Sequence, residues 1–188
     1  MIRTTLFVFC TLFTIACAPA APPSFAQASL TSTTGAETTT SQATAGAKDT
    51  VFVFYAEHCP CVGNHVERLR AMQEKYGPGG VRFYFVDSEV SASPERDAKL
   101  TTERKLPFPI LIDRDGSFAR AANAEYASYS LVVDASGKVR YHGGIDSDKS
   151  HLTTDAQNFL ADALDDLAAG RDVRVEEGKT LGCSLELR

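Results

Sequence analysis

Short apolar runs alternate with amphipathic stretches along the central part of the chain. "TVFVFYA" (50–56) is a continuous run rich in Val and Phe, which is typical of a strand buried on both faces. "VRFYFV" (81–86) and "FPILID" (108–113) predict two further strands. Between the first two runs, apolar residues recur at steps of three and four and predict one face of a helix that ends at "GPGG": Val62, Val66, Leu69, Met72 and Tyr76.

The second half of this region continues the alternation. Ser93 and Pro94 suit the N-cap and first position of a second helix, and "SFARAANA" predicts a short third one. "SLVVDASGKVRYHGG" predicts a hairpin, and the apolar positions of "NFLADALDDLAAG" predict a last helix that ends at Gly170. The order predicts an α/β domain over residues 49–170, with a mixed central sheet covered by helices on both faces. Residues 171–188 then form a C-terminal tail that carries Cys183.

The first residues have the pattern of an export signal, which we place at residues 1–26. Arg3 precedes an apolar run from Leu6 to Ala16, which is too short to span a bilayer. Two cleavage sites remain open. "TIAC" resembles a lipobox, which would make Cys17 the lipid-bearing first residue, whereas "SFAQA" suits ordinary cleavage after Ala26. We therefore expect a periplasmic protein or a lipoprotein anchored to the membrane.

Residues 27–48 are dominated by Thr, Ser, Ala, Gly and Gln and contain few large apolar side chains. Such a composition recovers little free energy on folding, so this stretch is predicted to be a disordered linker.

Charge and cysteine content narrow the class of partner. The formal net charge is −5 and no basic stripe is visible, which argues against nucleic acid as a partner. Export implies an oxidising compartment in which paired cysteines form disulfides. Cleavage at either site removes Cys10 with the signal. If Cys17 is lipidated, Cys59, Cys61 and Cys183 are then the thiols left for chemistry.

The motif Cys59-Pro60-Cys61 is the strongest candidate for that chemistry. Pro60 suits the first helical position, which makes Cys59 the N-cap. Backbone N–H groups and the helix dipole would then lower its pKa, so Cys59 is the predicted nucleophile and Cys61 the residue that resolves a mixed disulfide. A Cys59–Cys61 bond closes only with strain and is expected to be labile. Cys183 is the alternative resolving residue.

The chain resembles the thioredoxin fold, and specifically the exported redoxin-like proteins related to AhpC/TSA and TlpA, over residues 49–187. The resemblance rests on "EHCPC" after a strand, "FPILID", "LVVDASGKVRYHGGID" and the ending "GCSLEL". It implies a thiol–disulfide oxidoreductase that acts on protein thiols and disulfides without an organic cofactor. By analogy with related folds, Glu57 would shuttle protons for the second thiol.

The chain also departs from the pattern of this family. The usual Cys-x-x-Cys is Cys-x-Cys here, and Ala127-Ser128-Tyr129 lacks the proline that helps to align the substrate. Phe52 and Ala56 occupy the proline and threonine places of the peroxiredoxin motif, so peroxide reduction by the standard geometry is not expected. A peroxiredoxin-like antioxidant and a non-catalytic redoxin scaffold remain as alternatives.

A metal site is the rival hypothesis from another functional class. His58, Cys59, Cys61 and His65 form a compact set of soft donors that suits copper or zinc, and a copper-binding or copper-delivery protein stays open. His142 or His151 would be the remote ligand of such a site.

Overall fold

The computed structural model describes residues 25–188, which form one eight-stranded mixed sheet with helices on both faces. The order of the strands across the sheet is β2-β1-β5-β4-β3-β6-β7-β8. The strands are β1 (Ser29–Ser32), β2 (Glu37–Thr39), β3 (Asp49–Tyr55), β4 (Val81–Asp87), β5 (Ile110–Ile112), β6 (Ser130–Asp134), β7 (Val139–Gly143) and β8 (Glu177–Gly178). The helices are α1 (Thr40–Thr44), α2 (Pro60–Asn64), α3 (Val66–Tyr76), α4 (Pro94–Glu103), α5 (Ser117–Ala121) and α6 (Phe159–Ala168). The predicted α/β class and mixed sheet are confirmed.

Strand β3 lies in the interior of the sheet, between β4 and β6, and every one of its residues is buried. It pairs in parallel with β4 and antiparallel with β6. Alternate side chains of β3 enter two hydrophobic clusters, one containing Val53 and Leu164 and the other containing Phe54 and Phe118. The continuous apolar run of the sequence is thus explained by burial on both faces.

The helix predicted after the cysteines is split in two. The five apolar positions of its predicted face are all buried, but α2 ends at Asn64 and α3 begins at Val66, with His65 at the junction. The last helix begins at Phe159, and Asn158 at its N-cap makes no side-chain capping bond.

The predicted disordered linker over residues 27–48 is wrong. Strand β1 pairs with β2 and with β5, so this segment extends the sheet at one edge. Leu30 is fully buried, and Thr39 forms a capping box with Gln42 at the start of α1. Few apolar side chains suffice because the small residues Ala28 and Ala43 are buried beside them in the same cluster.

The C-terminal tail is also part of the folded domain. The domain therefore extends beyond Gly170, where the sequence placed its end. Strand β8 pairs in parallel with β7, and Ser184 and Leu187 form antiparallel bridges with Tyr126 and Glu89. The tail therefore lies along the carboxyl end of the sheet as part of the folded unit.

The predicted export signal falls almost wholly on residues 1–24, and Cys17 with it; these lie outside the described residues. Within residues 25–188, no helix is both long enough and apolar enough to cross a bilayer.

Candidate thiol site

The Cys-Pro-Cys motif lies directly after the central strand β3. Cys59 is the N-cap of α2, and Pro60 is at its first position, as predicted. The Cys59 N–H donates to the Ala56 carbonyl at 3.1 Å, which turns the chain from the strand into the helix. This local geometry places both cysteine side chains at the carboxyl end of the sheet.

Three sulfur atoms meet at this point. The Sγ atoms of Cys59, Cys61 and Cys183 lie within 4.8 Å of one another, and all three cysteines are free thiols. Cys59 is 3% exposed and Cys61 is 1% exposed, whereas Cys183 is half-buried. Solvent therefore reaches the cluster on the side of Cys183, whereas Cys59 and Cys61 are buried in the core.

The environment favours the thiolate of Cys59 over the other two. Burial opposes ionisation of Cys59, but hydrogen bonds from the Cys183 thiol and from the backbone N–H groups of Val62, Cys183 and Cys61 outweigh it, so its pKa is lowered. Burial and the charge of Cys59 raise the pKa of Cys61. The hydrogen bond to Cys59, together with burial, raises the pKa of Cys183 to about 12. Of the three thiols, Cys59 is therefore the one that ionises most readily.

Backbone pairing holds Cys183 in this position. The Ala127 N–H donates to the Cys183 carbonyl at 2.9 Å, and the Leu185 N–H donates to the Glu125 carbonyl at 2.9 Å. Gly182 passes so close to Ala127 that a Cβ there would lie 1.8 Å from the Ala127 carbonyl oxygen. Only glycine allows this approach, which explains the Gly-Cys ending of the sequence.

Ser128 lies in the Ala127-Ser128-Tyr129 stretch, which the resemblance singled out for its missing proline. Its φ of 73° is in the left-handed region, and its hydroxyl donates to the Leu181 carbonyl at 3.1 Å. Ser128 therefore orients the tail in this structure. Sequence reasoning saw only a missing proline here, because the contact joins residues 53 positions apart.

Glu57, the predicted proton shuttle, has its carboxylate beside Arg96 and His58. Its carboxylate lies 3.9 Å from Nε of Arg96 and 3.9 Å from Nε2 of His58. Arg104 donates to the Glu57 carbonyl at 2.6 Å and to the Tyr55 hydroxyl at 3.0 Å, which braces the loop between β3 and α2. The role of Glu57 in proton transfer stays a prediction.

The histidines of the predicted metal set do not join the thiols. His65 is 1% exposed, and its ring nitrogens face the Cys61 carbonyl at 2.5 Å and the Asp146 carboxylate at 2.9 Å. Both nitrogens are therefore engaged, so His65 cannot ligate an ion without breaking a buried contact. The His58 side chain is 89% exposed and lies beside Glu57. The set of His58, Cys59, Cys61 and His65 is thus not a preformed site.

The remote histidines are also placed elsewhere. His142 lies in β7 with its ring centroid 6.4 Å from that of Tyr129, and His151 is exposed in the following loop. Among residues 25–188, the group of three or more close metal-donor side chains contains Cys59, Cys61 and Cys183, without a histidine.

A buried acidic pair near the site was not anticipated from the sequence. Asp87 ends β4, and both Asp87 and Asp97 contact the Arg96 guanidinium. Burial, with the charge of Asp97 added, raises the pKa of Asp87 to about 7. Ser93-Pro94 predicted the helix that carries Asp97. Nothing in the residue spacing of the sequence showed that this helix packs on the end of β4.

Most of the chain matches a known protein family. The Redoxin family profile covers residues 6–160. The chain belongs to the Redoxin family. No curated protein is similar enough to the chain to count as a match.

Several solved structures have a fold similar to that of this chain. An uncharacterised conserved protein from Geobacillus kaustophilus is 27% identical with a TM-score of 0.75, and the match covers 90% of this chain and 94% of that one. A secreted Mycobacterium tuberculosis disulfide oxidoreductase homologous to E. coli DsbE is 20% identical with a TM-score of 0.51, covering 61% and 81% of the two chains. A thioredoxin-like protein from Aeropyrum pernix is 20% identical with a TM-score of 0.52, covering 63% and 81%. This redoxin therefore has a thioredoxin-like fold.

Proposed function

We propose that this redoxin exchanges thiols and disulfides with partner proteins and that Cys59 is the attacking residue. The observation that carries the proposal is the meeting of three free sulfur atoms within 4.8 Å of one another at the end of the central strand. Two of these sulfur atoms suffice for one exchange cycle, and the third offers a second route of resolution. The secreted disulfide oxidoreductase among the structural neighbours supports the same activity.

The exchange proceeds by two displacements. The Cys59 thiolate attacks one sulfur of a partner disulfide, which forms a mixed disulfide and releases the other partner sulfur as a thiolate. Cys183 or Cys61 then loses its proton and attacks Cys59 Sγ, which forms an internal disulfide and releases the partner's second thiol. The partner gains two electrons and the redoxin loses two. The reverse sequence oxidises a partner dithiol.

Cys183 is the preferred resolving residue in this proposal. Residues two apart at the start of a helix do not share a face, so a Cys59–Cys61 bond requires local distortion. Cys183 approaches from a separate segment whose backbone pairing with Ala127 already positions it. Cys61 then competes for the same Cys59 sulfur and keeps the internal disulfide exchangeable.

Thiol exchange is supported over peroxide reduction by the residues around Cys59. The peroxiredoxin motif needs a threonine hydroxyl and a proline at the places that Ala56 and Phe52 occupy here, and both of these are buried apolar residues. Their side chains offer no hydrogen bond to a peroxide oxygen.

The test is disulfide mapping after a single turnover with an oxidised protein substrate. The reduced chain and its Cys59→Ser, Cys61→Ser and Cys183→Ser variants are mixed with the substrate, quenched by alkylation and digested. We expect no reaction for Cys59→Ser, an internal Cys59–Cys183 bond in the wild type, and a longer-lived mixed disulfide for Cys183→Ser. The exposed His58→Ala variant is the control and should react as the wild type does. Full exchange activity of Cys59→Ser would refute the proposal.

We also propose that the protein is exported and that Cys17 is its lipid attachment site. The proposal rests on the apolar run behind Arg3 and on the "TIAC" sequence. Cell fractionation of the wild type and of Cys17→Ser tests it. Release of the variant, but not of the wild type, from the membrane fraction would support lipidation; an exported soluble wild type would support cleavage after Ala26 instead.

A further inference from the structure

The thiol cluster also has the composition of a metal site. Its three donors come from two segments far apart in sequence, the motif at 59–61 and the tail at 183, yet they lie within 4.8 Å of one another. We propose that in the reduced protein Cys59, Cys61 and Cys183 bind one Cu(I) ion through three thiolates. This inference goes beyond thiol exchange and does not depend on it.

The spacing of the sulfur atoms suits a three-coordinate ion. With metal–sulfur bonds of about 2.3 Å, three sulfurs in a plane around one ion lie about 4 Å apart. The separations of up to 4.8 Å in the thiol form therefore need to shrink by less than about 1 Å. Small rotations of the side chains supply such a change, and Cys183 has the freedom for it because it is only half-buried.

The donor set selects Cu(I) over other common ions. Thiolate sulfur is a soft ligand and favours Cu(I), whereas Zn²⁺ in structural sites takes four ligands in a tetrahedron. A fourth ligand from His65 would break its buried contacts with Asp146 and the Cys61 carbonyl. The side chain of His58 is 89% exposed and points to Glu57. The three sulfurs alone therefore define the site.

The fold positions the ligands before the ion arrives. Cys59 and Cys61 are fixed by the turn after β3 and by the first residues of α2. Cys183 is held by two backbone hydrogen bonds, one from Ala127 to its own carbonyl and one from Leu185 to Glu125. Two ligands are nearly inaccessible to solvent, so the open side at Cys183 is the path of entry. An ion bound here would tie the tail to the core.

Metal binding and disulfide formation use the same sulfurs and exclude each other. An internal disulfide consumes two of the three thiolates, so the site exists only in the reduced protein. Binding of Cu(I) itself is not a redox step, because each thiol only exchanges its proton for a bond to the ion.

The experiment is an anaerobic titration of the reduced full chain with Cu(I) in competition with a coloured Cu(I) chelator. Every sample carries Cys10→Ser and Cys17→Ser, so that the remaining thiols are those of the site. We expect one Cu(I) per chain and at least about 100-fold weaker binding for each of Cys59→Ser, Cys61→Ser and Cys183→Ser, since even outer-sphere changes cost 10–100-fold. His58→Ala and Ser184→Ala are the controls and should bind as the parent does.

X-ray absorption at the copper edge supplies a second measurement that does not depend on folding of the variants. Three sulfur neighbours per copper would support the site. Two sulfurs, a histidine nitrogen in the first shell, or undiminished binding by Cys183→Ser would overturn it. Thiol exchange is measured separately, with the chelator present to keep the protein free of copper. Loss of copper binding and loss of exchange are therefore distinguishable.

Discussion

The substitution Gly182→Ala should detach the tail from the thiol site. The new Cβ would lie 1.8 Å from the Ala127 carbonyl oxygen, whereas ordinary contact begins at 3.4 Å. The tail would have to move by roughly 1.5 Å, which breaks its pairing with Ala127 and Glu125. Each backbone hydrogen bond contributes about 1 kcal/mol, so docking should weaken by about 2 kcal/mol, or about 30-fold.

The assay is the rate at which Cys183 is alkylated in the reduced protein, followed by mass spectrometry of the digested chain. We expect the rate to rise about 30-fold in Gly182→Ala, because the undocked tail exposes its thiol. The matched control is Gly77→Ala, since Gly77 has helical backbone angles and a Cβ added there would meet nothing within 4 Å. A rate within twofold of the wild type would refute the argument that the approach of Gly182 to Ala127 holds the tail.

Three further substitutions test the core and the buried charges. Leu30→Ala should lower the free energy of unfolding by roughly 3 kcal/mol in urea melts, because Leu30 is fully buried in the N-terminal segment; no change would mean that the segment does not pack. Asp87→Asn should stabilise the protein at pH 8, where burial and the pKa of about 7 make the charged form costly, and this gain should disappear in melts below pH 4. His65→Ala should destabilise the protein by more at pH 6 than at pH 9. Burial lowers the pKa of His65, but the hydrogen bond to Asp146 outweighs it and the net pKa is raised. The stabilisation from the charged His65 is therefore present below the unfolded-state pKa of about 6.5 and is lost as the pH rises through the folded-state pKa. Equal losses at both pH values would contradict that sign.

Local patterns in the sequence predicted the central fold well. The apolar run at 50–56 predicted β3, and Ser93-Pro94 predicted the start of α4, because both signals are contained in neighbouring residues. The placement of Cys59 at the start of α2 followed from Pro60 in the same way. Such features depend on backbone preferences that act over a few residues.

Contacts between distant segments could not be predicted in this way. The Thr-rich stretch looked disordered because its own side chains bury little, yet β1 gains its stability from the edge of β5, about eighty residues further along. His65 was predicted as a metal ligand because Asp146, its buried partner, is far away in the sequence. The tail was predicted to lie outside the domain for the same reason, since its partners Glu125 and Ala127 are remote in sequence.

The docking of Cys183 beside Cys59 links the redox potential of the site to the stability of the whole domain. A Cys59–Cys183 bond closes a loop of about 125 residues, which by chain entropy stabilises the folded state by about 5 kcal/mol, whereas a Cys59–Cys61 bond closes almost none. For a two-electron couple, about 5 kcal/mol corresponds to roughly 100 mV. Folding should therefore make the long-range disulfide the harder of the two to reduce, so the choice of partner for Cys59 sets the driving force with which the protein gives or takes electrons.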